Sequence, residues 1–264
     1  MSRKIAVIGG GNMGGALIEG FLKSGKVAKN EIVVGTPDEP GQERFRGMGL
    51  TVYADNREAV KEADIVIVAV KPWLVESVAS EIGSRLKHNA LIVSVAAGLP
   101  LAVLQEYFGG TSICFRVIPN IAAALGASMT FVACEERCDV YAPVVLDLFN
   151  TVGEAALIQE KLMDAGMVSG SCGTAYALRY LRAGMEASIE MGLSAGLSRT
   201  VVAQTMKGAA ELLLNSDLHP EAAIDQVTTP GGITIVGLNA MEHTGFTSAV
   251  IEGHLAAYRH VKGE

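Results

Sequence analysis

The chain has 264 residues, of which half are hydrophobic and 19% are charged, so it can build a sizeable core in one large domain or two smaller ones. Its net charge of −7 and the lack of any basic run argue against binding to nucleic acid or to an anionic membrane surface. The four cysteines form no metal-ligand cluster, the apolar run at residues 5–8 is too short for a signal peptide, and no run approaches a membrane span. We therefore expect a cytoplasmic protein with reduced thiols and no metal.

The amino-terminal stretch has the order strand, glycine loop, helix and strand. Residues 4–8 form a short apolar run, which predicts a strand buried on both faces. The sequence Gly9-Gly10-Gly11-Asn12-Met13-Gly14 follows directly, a helical pattern then continues to about Gly25, and residues 32–34 read as the next strand. In this order a G-x-G-x-x-G motif predicts a dinucleotide site rather than a glycine-rich turn that binds nothing.

Each glycine of the motif has a physical role in such a site. Gly9 permits the tight turn, Gly11 lets a pyrophosphate approach the backbone, and Gly14 lets the helix pack closely on the strand. The amides and the dipole of the helix then face the phosphates.

The end of the second strand normally reads the ribose of the dinucleotide. No acidic residue stands at this strand tip, where NAD specificity usually places one. Thr36 can bond a 2′-phosphate, whereas Asp38 would oppose that phosphate if it pointed inward, and Arg44 and Arg46 follow on a helix. The sequence therefore favours NADPH, with NADH as an alternative.

The alternation of strands and helices continues to about residue 157. Further strands are predicted at 64–70, 91–95, 113–118, 129–133 and 154–157, with helices at 54–63 and 139–150. The carboxyl ends of parallel strands meet at one edge of an open α/β sheet, where ligands bind. The residues that we assign to the cofactor site at these ends are Ala69, Val70, Lys71, Pro72, Ala97 and Asn120. Small side chains there leave room for a nicotinamide ring, which the Asn120 amide can bond.

The composition changes near residue 159, and no strand pattern follows. Residues 163–193 predict one long helix with small residues throughout, and a second helix is predicted at 198–216 with Ser198 as its N-cap. Shorter helices are predicted at 220–225, 232–242 and 245–260. An all-helical segment this apolar predicts a subunit interface as well as a core.

A polar, glycine-rich stretch, Asp225 to Thr234, lies between two of these helices. Pro230 disfavours helix at the residue before it, and Gly231 and Gly232 allow bare backbone to approach a ligand. If Gly232 opens the next helix, the free amides there form a site for a small carboxylate. The alternative is an ordinary capped turn between two helices.

The chain lacks the usual catalytic groups. It contains no H-E-x-x-H, G-x-S-x-G or Walker motif, and its five histidines stand in no metal-ligand spacing. A protonated cyclic imine is already electrophilic, so it needs a held carboxylate, one hydroxyl at its ring nitrogen and a nicotinamide at its face. Glycine amides and threonine hydroxyls supply these contacts.

Five motifs together resemble the pyrroline-5-carboxylate reductases, which make L-proline from 1-pyrroline-5-carboxylate. They are Gly9-x-Gly11-Asn12-Met13-Gly14, Ala69-Val70-Lys71-Pro72, Ser94-Val95-Ala96-Ala97-Gly98, Arg116-Val117-Ile118-Pro119-Asn120 and Asp225-Gln226-Val227-Thr228-Thr229-Pro230-Gly231-Gly232. The resemblance covers nearly the whole chain. It implies an α/β protein with a doubly wound, Rossmann-like N-terminal domain at 1–160 and an all-α dimerisation and substrate domain at 161–264.

The resemblance also implies residue roles and an assembly. Thr229, Gly231 and Gly232 would hold the substrate carboxylate, and Thr234 would contact the ring nitrogen as the catalytic residue. Asn12 and Met13 would lie near the pyrophosphate of NADPH or NADH, and Ala97 and Asn120 near the nicotinamide. Two chains would interlock through the C-terminal helices into a homodimer, and many members assemble further into decamers.

The chain departs from the family pattern around the expected cleft. The departures are Ile118, Ile121, Ala122, Cys172, Thr174, Arg182 and Ile233. Because they surround the cleft, they bear on the range of substrates and not on the type of reaction.

Two alternatives compete with this interpretation. A β-hydroxyacid or related imine reductase of the same build is one, but the hydroxyacid enzymes need a lysine on the long helix, which carries Arg179 and Arg182 and has no lysine after Lys161. A nucleotide sensor without chemistry is the other, and the intact Thr234 argues against it.

Overall fold

The computed structural model describes residues 3–264, and its strands form one eight-stranded sheet. The strands are β1 Ile5–Ile8, β2 Ile32–Gly35, β3 Thr51–Tyr53, β4 Ile65–Val68, β5 Leu91–Ser94, β6 Ile113–Ile118, β7 Ser128–Cys134 and β8 Gly153–Leu157. The α-helices are α1 Asn12–Ser24, α2 Glu39–Gly47, α3 Asn56–Val60, α4 Val75–Ile82, α5 Leu101–Tyr107, α6 Ala142–Phe149, α7 Met163–Gly166, α8 Gly173–Glu190, α9 Ala195–Leu214, α10 Pro220–Gln226, α11 Ile233–His243 and α12 Phe246–Lys262.

The sheet has the order β3-β2-β1-β4-β5-β6-β7-β8. β1 to β6 are parallel, β7 runs antiparallel to β6, and β8 pairs in parallel with β7. The chain moves outward from β1 to β3 and then returns to β4 on the other side of β1, which creates the switch point where open α/β sheets bind ligands. The predicted α/β class with a doubly wound first domain is confirmed.

Helices cover both faces of this sheet, and the pattern of β1 shows why its sequence is continuously apolar. Ile5 and Val7 belong to the buried cluster on one face, whereas Ala6 and Ile8 belong to the cluster on the other face. β4 is likewise buried at every position. A strand covered on both sides cannot alternate polar and apolar residues, because either face would then bury a polar side chain.

Three short elements escaped prediction, namely β3, α4 and α5. β3 is a three-residue edge strand with two exposed positions, so it lacks an apolar run. The helix predicted at 54–63 is much shorter, because Asp55 caps it by accepting a hydrogen bond from the Arg57 amide and α3 ends at Val60. Local patterns of so few residues are too weak to identify an element.

The chain divides into two compact units, of which the first ends at Ser171 and the second is Cys172–Glu264. All eight strands lie in the first unit, and the second consists of α8 to α12 with their connections. The domain boundary between residues 160 and 161 stays a prediction. Among the described residues, no helix is both long and apolar enough to cross a membrane.

The single helix predicted at 163–193 is not regular. α7 gives way to a π-helical segment, Met167–Cys172, before α8 begins, and α8 ends at Glu190. The small residues here have a packing role, since a Cβ added to Gly166 or Gly170 would lie 2.9 or 2.7 Å from the ring of Phe131. Widened helical turns of this kind occur often at functional sites.

The N-cap predicted for the following helix is wrong. Ser198 is fully buried, and its amide donates to the Ser194 carbonyl at 2.8 Å, so it already lies inside the first turn of α9. Ser194 is the N-cap, and its hydroxyl accepts from the Leu197 amide. Two serines four residues apart offer two possible caps, and tertiary packing selects the first.

Candidate active site

The ends of three neighbouring strands are joined by backbone hydrogen bonds. The Gly9 amide after β1 donates to the carbonyl of Gly35 at the end of β2, at 2.8 Å. The Ala69 amide after β4 donates to the carbonyl of Ile8 at 2.7 Å. The loops that follow these strands therefore leave the sheet side by side at the switch point, where a dinucleotide binds in this fold.

The glycine loop has the geometry of a phosphate cradle. Gly9 has φ +108°, which L side chains rarely adopt, and a Cβ on Gly14 would overlap the Gly9 carbonyl oxygen. Gly11 is the exposed N-cap of α1 without a side-chain cap, and a Cβ there would meet no atom within 4 Å. Asn12 and Met13 form the first helical turn. Open backbone before uncapped amides fits a pyrophosphate.

Ala69 and Val70 form the wall behind this loop. A Cβ added to Gly9 would lie 2.6 Å from the Ala69 carbonyl oxygen and 3.0 Å from the Val70 side chain. Lys71 follows in extended backbone, and Pro72 starts a short 3-10 turn. The fold therefore places Gly9 close against Ala69 and Val70. Their contact with a cofactor stays a prediction.

Thr36, at the tip of β2, does not offer a free hydroxyl. Its side chain is buried, and its hydroxyl donates to the carboxylate of Asp38. Asp38 also accepts from the Gly41 amide at 2.8 Å and caps α2. The Thr36 hydroxyl first, and then the Gly41 amide, hold the pKa of Asp38 below its usual range. This strand tip therefore presents a fixed, ionised carboxylate.

Asn120 is buried, and both ends of its side-chain amide bond within the protein. Its Oδ1 accepts from the Ala122 amide at 3.0 Å, and its Nδ2 donates to the Gly170 carbonyl at 2.9 Å. The side chain thus fastens the turn after β6 to the π-helical segment. Contact of Asn120 with the nicotinamide stays a prediction, as does that of Ala97, which is exposed after β5.

Arg116 on β6 is a buried cation to which sequence reasoning gave no role. Its guanidinium lies 2.8 Å from the Asp164 carboxylate and 3.7 Å from that of Glu160. Glu160 in turn accepts from the Leu101 amide at 2.6 Å. These contacts join the sheet to the segment that leads into α7. The available signal was a lone arginine inside an apolar strand, since buried charges are usually paired.

The stretch Asp225 to Thr234 lies in the second unit and is a preformed turn. Gly231 has φ +70°, and the Gly232 amide donates to the Thr229 carbonyl at 2.9 Å. Gly232 is the N-cap of α11 and has no side-chain cap, so the amides open to a carboxylate are those of the first turn of α11. Thr234 is exposed in that turn.

Two segments of the chain match known families. Residues 160–263 match the family described as pyrroline-5-carboxylate reductase dimerisation, and residues 4–98 match the family described as NADP oxidoreductase, coenzyme F420-dependent. Pyrroline-5-carboxylate reductase of Escherichia coli strain K12 is 35% identical over 260 residues, covering 96% of this chain and 94% of that protein. Pyrroline-5-carboxylate reductase 2 of Dictyostelium discoideum is also 35% identical, covering 96% of this chain and 90% of that protein.

A solved structure gives the same result in three dimensions. The crystal structure of Plasmodium falciparum pyrroline carboxylate reductase with NADP bound matches with a TM-score of 0.88 and 29% identity, covering 99% of this chain and 97% of that one. Identity of this level over nearly the full length of both chains is not reached through a shared dinucleotide fold alone. The chain belongs to the pyrroline-5-carboxylate reductase family.

Proposed function

We propose that this chain reduces 1-pyrroline-5-carboxylate to L-proline by hydride transfer from NAD(P)H, the last step of proline biosynthesis. The observation that carries the proposal is the uncapped first turn of α11, which holds Thr234 and follows a glycine turn, in a chain of this family. It offers amides for a carboxylate and one hydroxyl for a ring nitrogen. The alternative function, reduction by a β-hydroxyacid reductase, is not supported by the family to which the chain belongs.

The first unit fits a nicotinamide dinucleotide. The residues proposed to hold it are Gly9, Gly11, Asn12, Met13, Gly14, Thr36, Ala69, Val70, Lys71, Pro72, Ala97 and Asn120. The fit rests on the glycine loop, since any side chain at Gly9 or Gly14 would collide with backbone and one at Gly11 would occupy the open cradle. When bound, NAD(P)H supplies the hydride.

The residues of the second unit hold and polarise the substrate. The amides of Gly231 and of the first turn of α11 bind its carboxylate, with Thr229 beside them, and the helix dipole favours this negative charge. The Thr234 hydroxyl oxygen accepts the N–H of the iminium and keeps that proton on the ring nitrogen while the carbon receives the hydride. One C–H bond forms, the C=N π bond breaks, and the electron pair ends on nitrogen as the amine of proline. Positioning of this kind supplies a large part of the rate without a separate acid.

The matched dimerisation family supports self-association through the C-terminal helices. The second unit exposes large apolar side chains that a lone chain would leave in water, including Met191, Leu214 and Ile233, which are 77%, 77% and 91% exposed. A cavity of about 560 Å³, lined by aromatic and aliphatic residues of α8, α11 and α12 together with Arg179 and His254, offers a groove for a second copy. We propose a homodimer through residues 161–264 that assembles into a decamer, which light scattering would test by mass.

The proposal also covers the cellular location of the protein and the limits of its two domains. Four free thiols support a cytoplasmic location, which cell fractionation would test. We also propose residues 1–160 as the dinucleotide-binding domain and 161–264 as the substrate and dimerisation domain, a division that limited proteolysis would test.

Two experiments test the proposal, a turnover assay with the cyclic imine and removal of the Thr234 hydroxyl. The purified protein is expected to oxidise NADPH or NADH only when the cyclic imine is supplied. Thr234→Ala should lower kcat/KM by about 10²-fold, as expected for losing a positioned proton-handling group, while the affinity for NAD(P)H stays within twofold.

The matched control is Thr244→Ala at the other end of α11, whose hydroxyl bonds the Met241 carbonyl at 2.7 Å. That variant should keep the wild-type kcat/KM. A wild-type rate in Thr234→Ala would remove this hydroxyl from the mechanism, and dinucleotide binding without turnover would favour the sensor.

A further inference from the structure

The π-helical segment Met167–Cys172 is held by side chains from β7 and from the turn after β6. Phe131 on β7 lies against glycine backbone, because a Cβ on Gly166 or Gly170 would come within 2.9 or 2.7 Å of its ring. Asn120, in the turn after β6, donates to the Gly170 carbonyl at 2.9 Å. Helical turns of this width are rare, and they occur often at functional sites.

Arg116 on β6 fixes the same helix just before the π-helical segment. Its guanidinium lies 2.8 Å from the carboxylate of Asp164 in α7 and 3.7 Å from that of Glu160. Asn120 follows Arg116 by four residues and holds the helix at a second place, the Gly170 carbonyl. Two contacts, one before the π-helical segment and one within it, therefore fix the position of this helix on the sheet.

Stability alone does not account for the buried charge of Arg116, which is 5% exposed. Taking ions out of water costs about as much as their pairing returns, so apolar residues of similar volume are often equally stable in such places. The Nε of Arg116 also lacks a hydrogen-bond partner among the described residues, which adds to the cost. A guanidinium differs from an apolar side chain in that it binds a carboxylate with a defined geometry. The pair of Arg116 and Asp164 therefore specifies where α7 lies.

The position of this helix decides the orientation of Asn120. The Gly170 carbonyl accepts one proton of the Asn120 amide, and the amide oxygen caps the 3-10 turn Ile121–Leu125. That turn packs on α1 so closely that a Cβ on Gly20 would overlap the Ala123 carbonyl oxygen. Asn120 thus joins the helix of the glycine loop to the π-helical segment. A shift of Gly170 would displace this amide at the edge of the sheet where the nicotinamide is proposed to lie.

We propose that Arg116 is a positioning residue for hydride transfer. Through Asp164 it sets the place of the π-helical segment, and the Gly170 carbonyl of that segment then orients Asn120. Arg116 itself is buried and acts only through these residues, which all lie in the first unit. The inference rests on the proposed function, because it concerns the chemical step of that reaction.

Single-turnover kinetics of the purified full-length protein test this role. Protein saturated with NADPH is mixed with saturating cyclic imine, and the loss of NADPH absorbance gives the rate of hydride transfer. Arg116→Met should slow this step by about tenfold or more, since a misplacement of about 1 Å can cost about 10²-fold. The dissociation constant for NADPH should stay within about twofold, because the glycine loop is unchanged. Arg116→Lys keeps a cation without the planar fork, so its rate should lie at least about threefold above that of Arg116→Met.

Hydrogen exchange of the backbone amides gives a second readout, which needs no turnover. Arg116→Met should speed exchange at residues 167–172 by about tenfold relative to exchange in β4, because the segment loses one of its two contacts. The matched control is Val145→Ala on α6, which removes buried volume on the opposite face of the sheet. That variant should lose stability but keep the wild-type rate of hydride transfer and the wild-type exchange ratio.

A wild-type rate of hydride transfer in Arg116→Met would overturn the inference. An equal loss of rate in Val145→Ala would also overturn it, because Arg116 would then contribute to stability only. If Arg116→Met does not fold, Asp164→Asn removes the charge of the partner at nearly constant shape and should change the rate and the exchange ratio in the same direction. A wild type that reduces no imine would contradict the proposed function, and the exchange at residues 167–172 would then decide by itself whether Arg116 fixes the segment.

Discussion

The substitution Gly9→Ala tests whether the glycine loop is a strained cradle. The structure divides the expected loss of stability into backbone strain and a steric clash. A side chain at φ +108° costs about 1–2 kcal/mol in backbone strain. The added Cβ would also lie 2.6 Å from the Ala69 carbonyl oxygen, and such overpacking costs about 1–3 kcal/mol. The sum of about 2–5 kcal/mol should lower the melting temperature by about 4–20 °C in a domain of this size.

Two controls separate the contributions. Gly25→Ala places a side chain at φ +67° with no atom within 4 Å, so it should show the strain alone, a fall of about 2–8 °C. Gly11→Ala has ordinary backbone angles and open space, so it should cost less than about 1 kcal/mol. Its methyl group would occupy the cradle, however, and should weaken dinucleotide binding by about tenfold or more.

The assays are thermal unfolding by circular dichroism and titration with NADH and NADPH. Gly9→Ala should lose both stability and binding, Gly25→Ala only stability, and Gly11→Ala mainly binding. A Gly9→Ala protein that melts like Gly25→Ala would show that the Ala69 carbonyl is not a barrier. Unchanged binding in Gly11→Ala would mean that the pyrophosphate does not lie over this loop.

Three further predictions concern other parts of the first unit. Arg116→Met removes the buried cation that contacts the partly exposed carboxylates of Asp164 and Glu160, and it should lower the free energy of unfolding by about 1–3 kcal/mol in urea titrations. Lys87→Met breaks an exposed ion pair and should cost about 0–1 kcal/mol. Equal losses would contradict the burial of Arg116. Gly170→Ala brings a Cβ within 2.7 Å of the Phe131 ring and should cost about 1–3 kcal/mol, and Phe131→Leu should restore part of that loss in the double variant. Burial raises the pKa of the Cys114 thiol to about 12, so the native protein should resist alkylation there at pH 8. The unfolded thiol ionises near pH 8.5, whereas the folded one stays protonated. The free energy of unfolding should therefore fall as the pH rises from about 8.5 towards 12.

Much of the first unit follows from the sequence by itself, because its signals are local. A strand buried on both faces is apolar at every position, so β1 and β4 were predictable to within two residues at each end. The glycine loop was predictable for a similar reason, since Gly9 occupies a backbone conformation that side chains avoid. The family followed from the same motifs and is confirmed by its relatives.

Tertiary structure decided which partner each polar side chain takes. The sequence could not show that the Thr36 hydroxyl donates to Asp38, or that the Asn120 amide bonds Gly170 some fifty residues later. It also could not choose Ser194 over Ser198 as a cap. Hydrogen bonds are short and directional, so their partners depend on distances that only packing fixes. Apolar burial and backbone angles instead restrict which residue type fits each position, and that restriction is visible in the sequence itself.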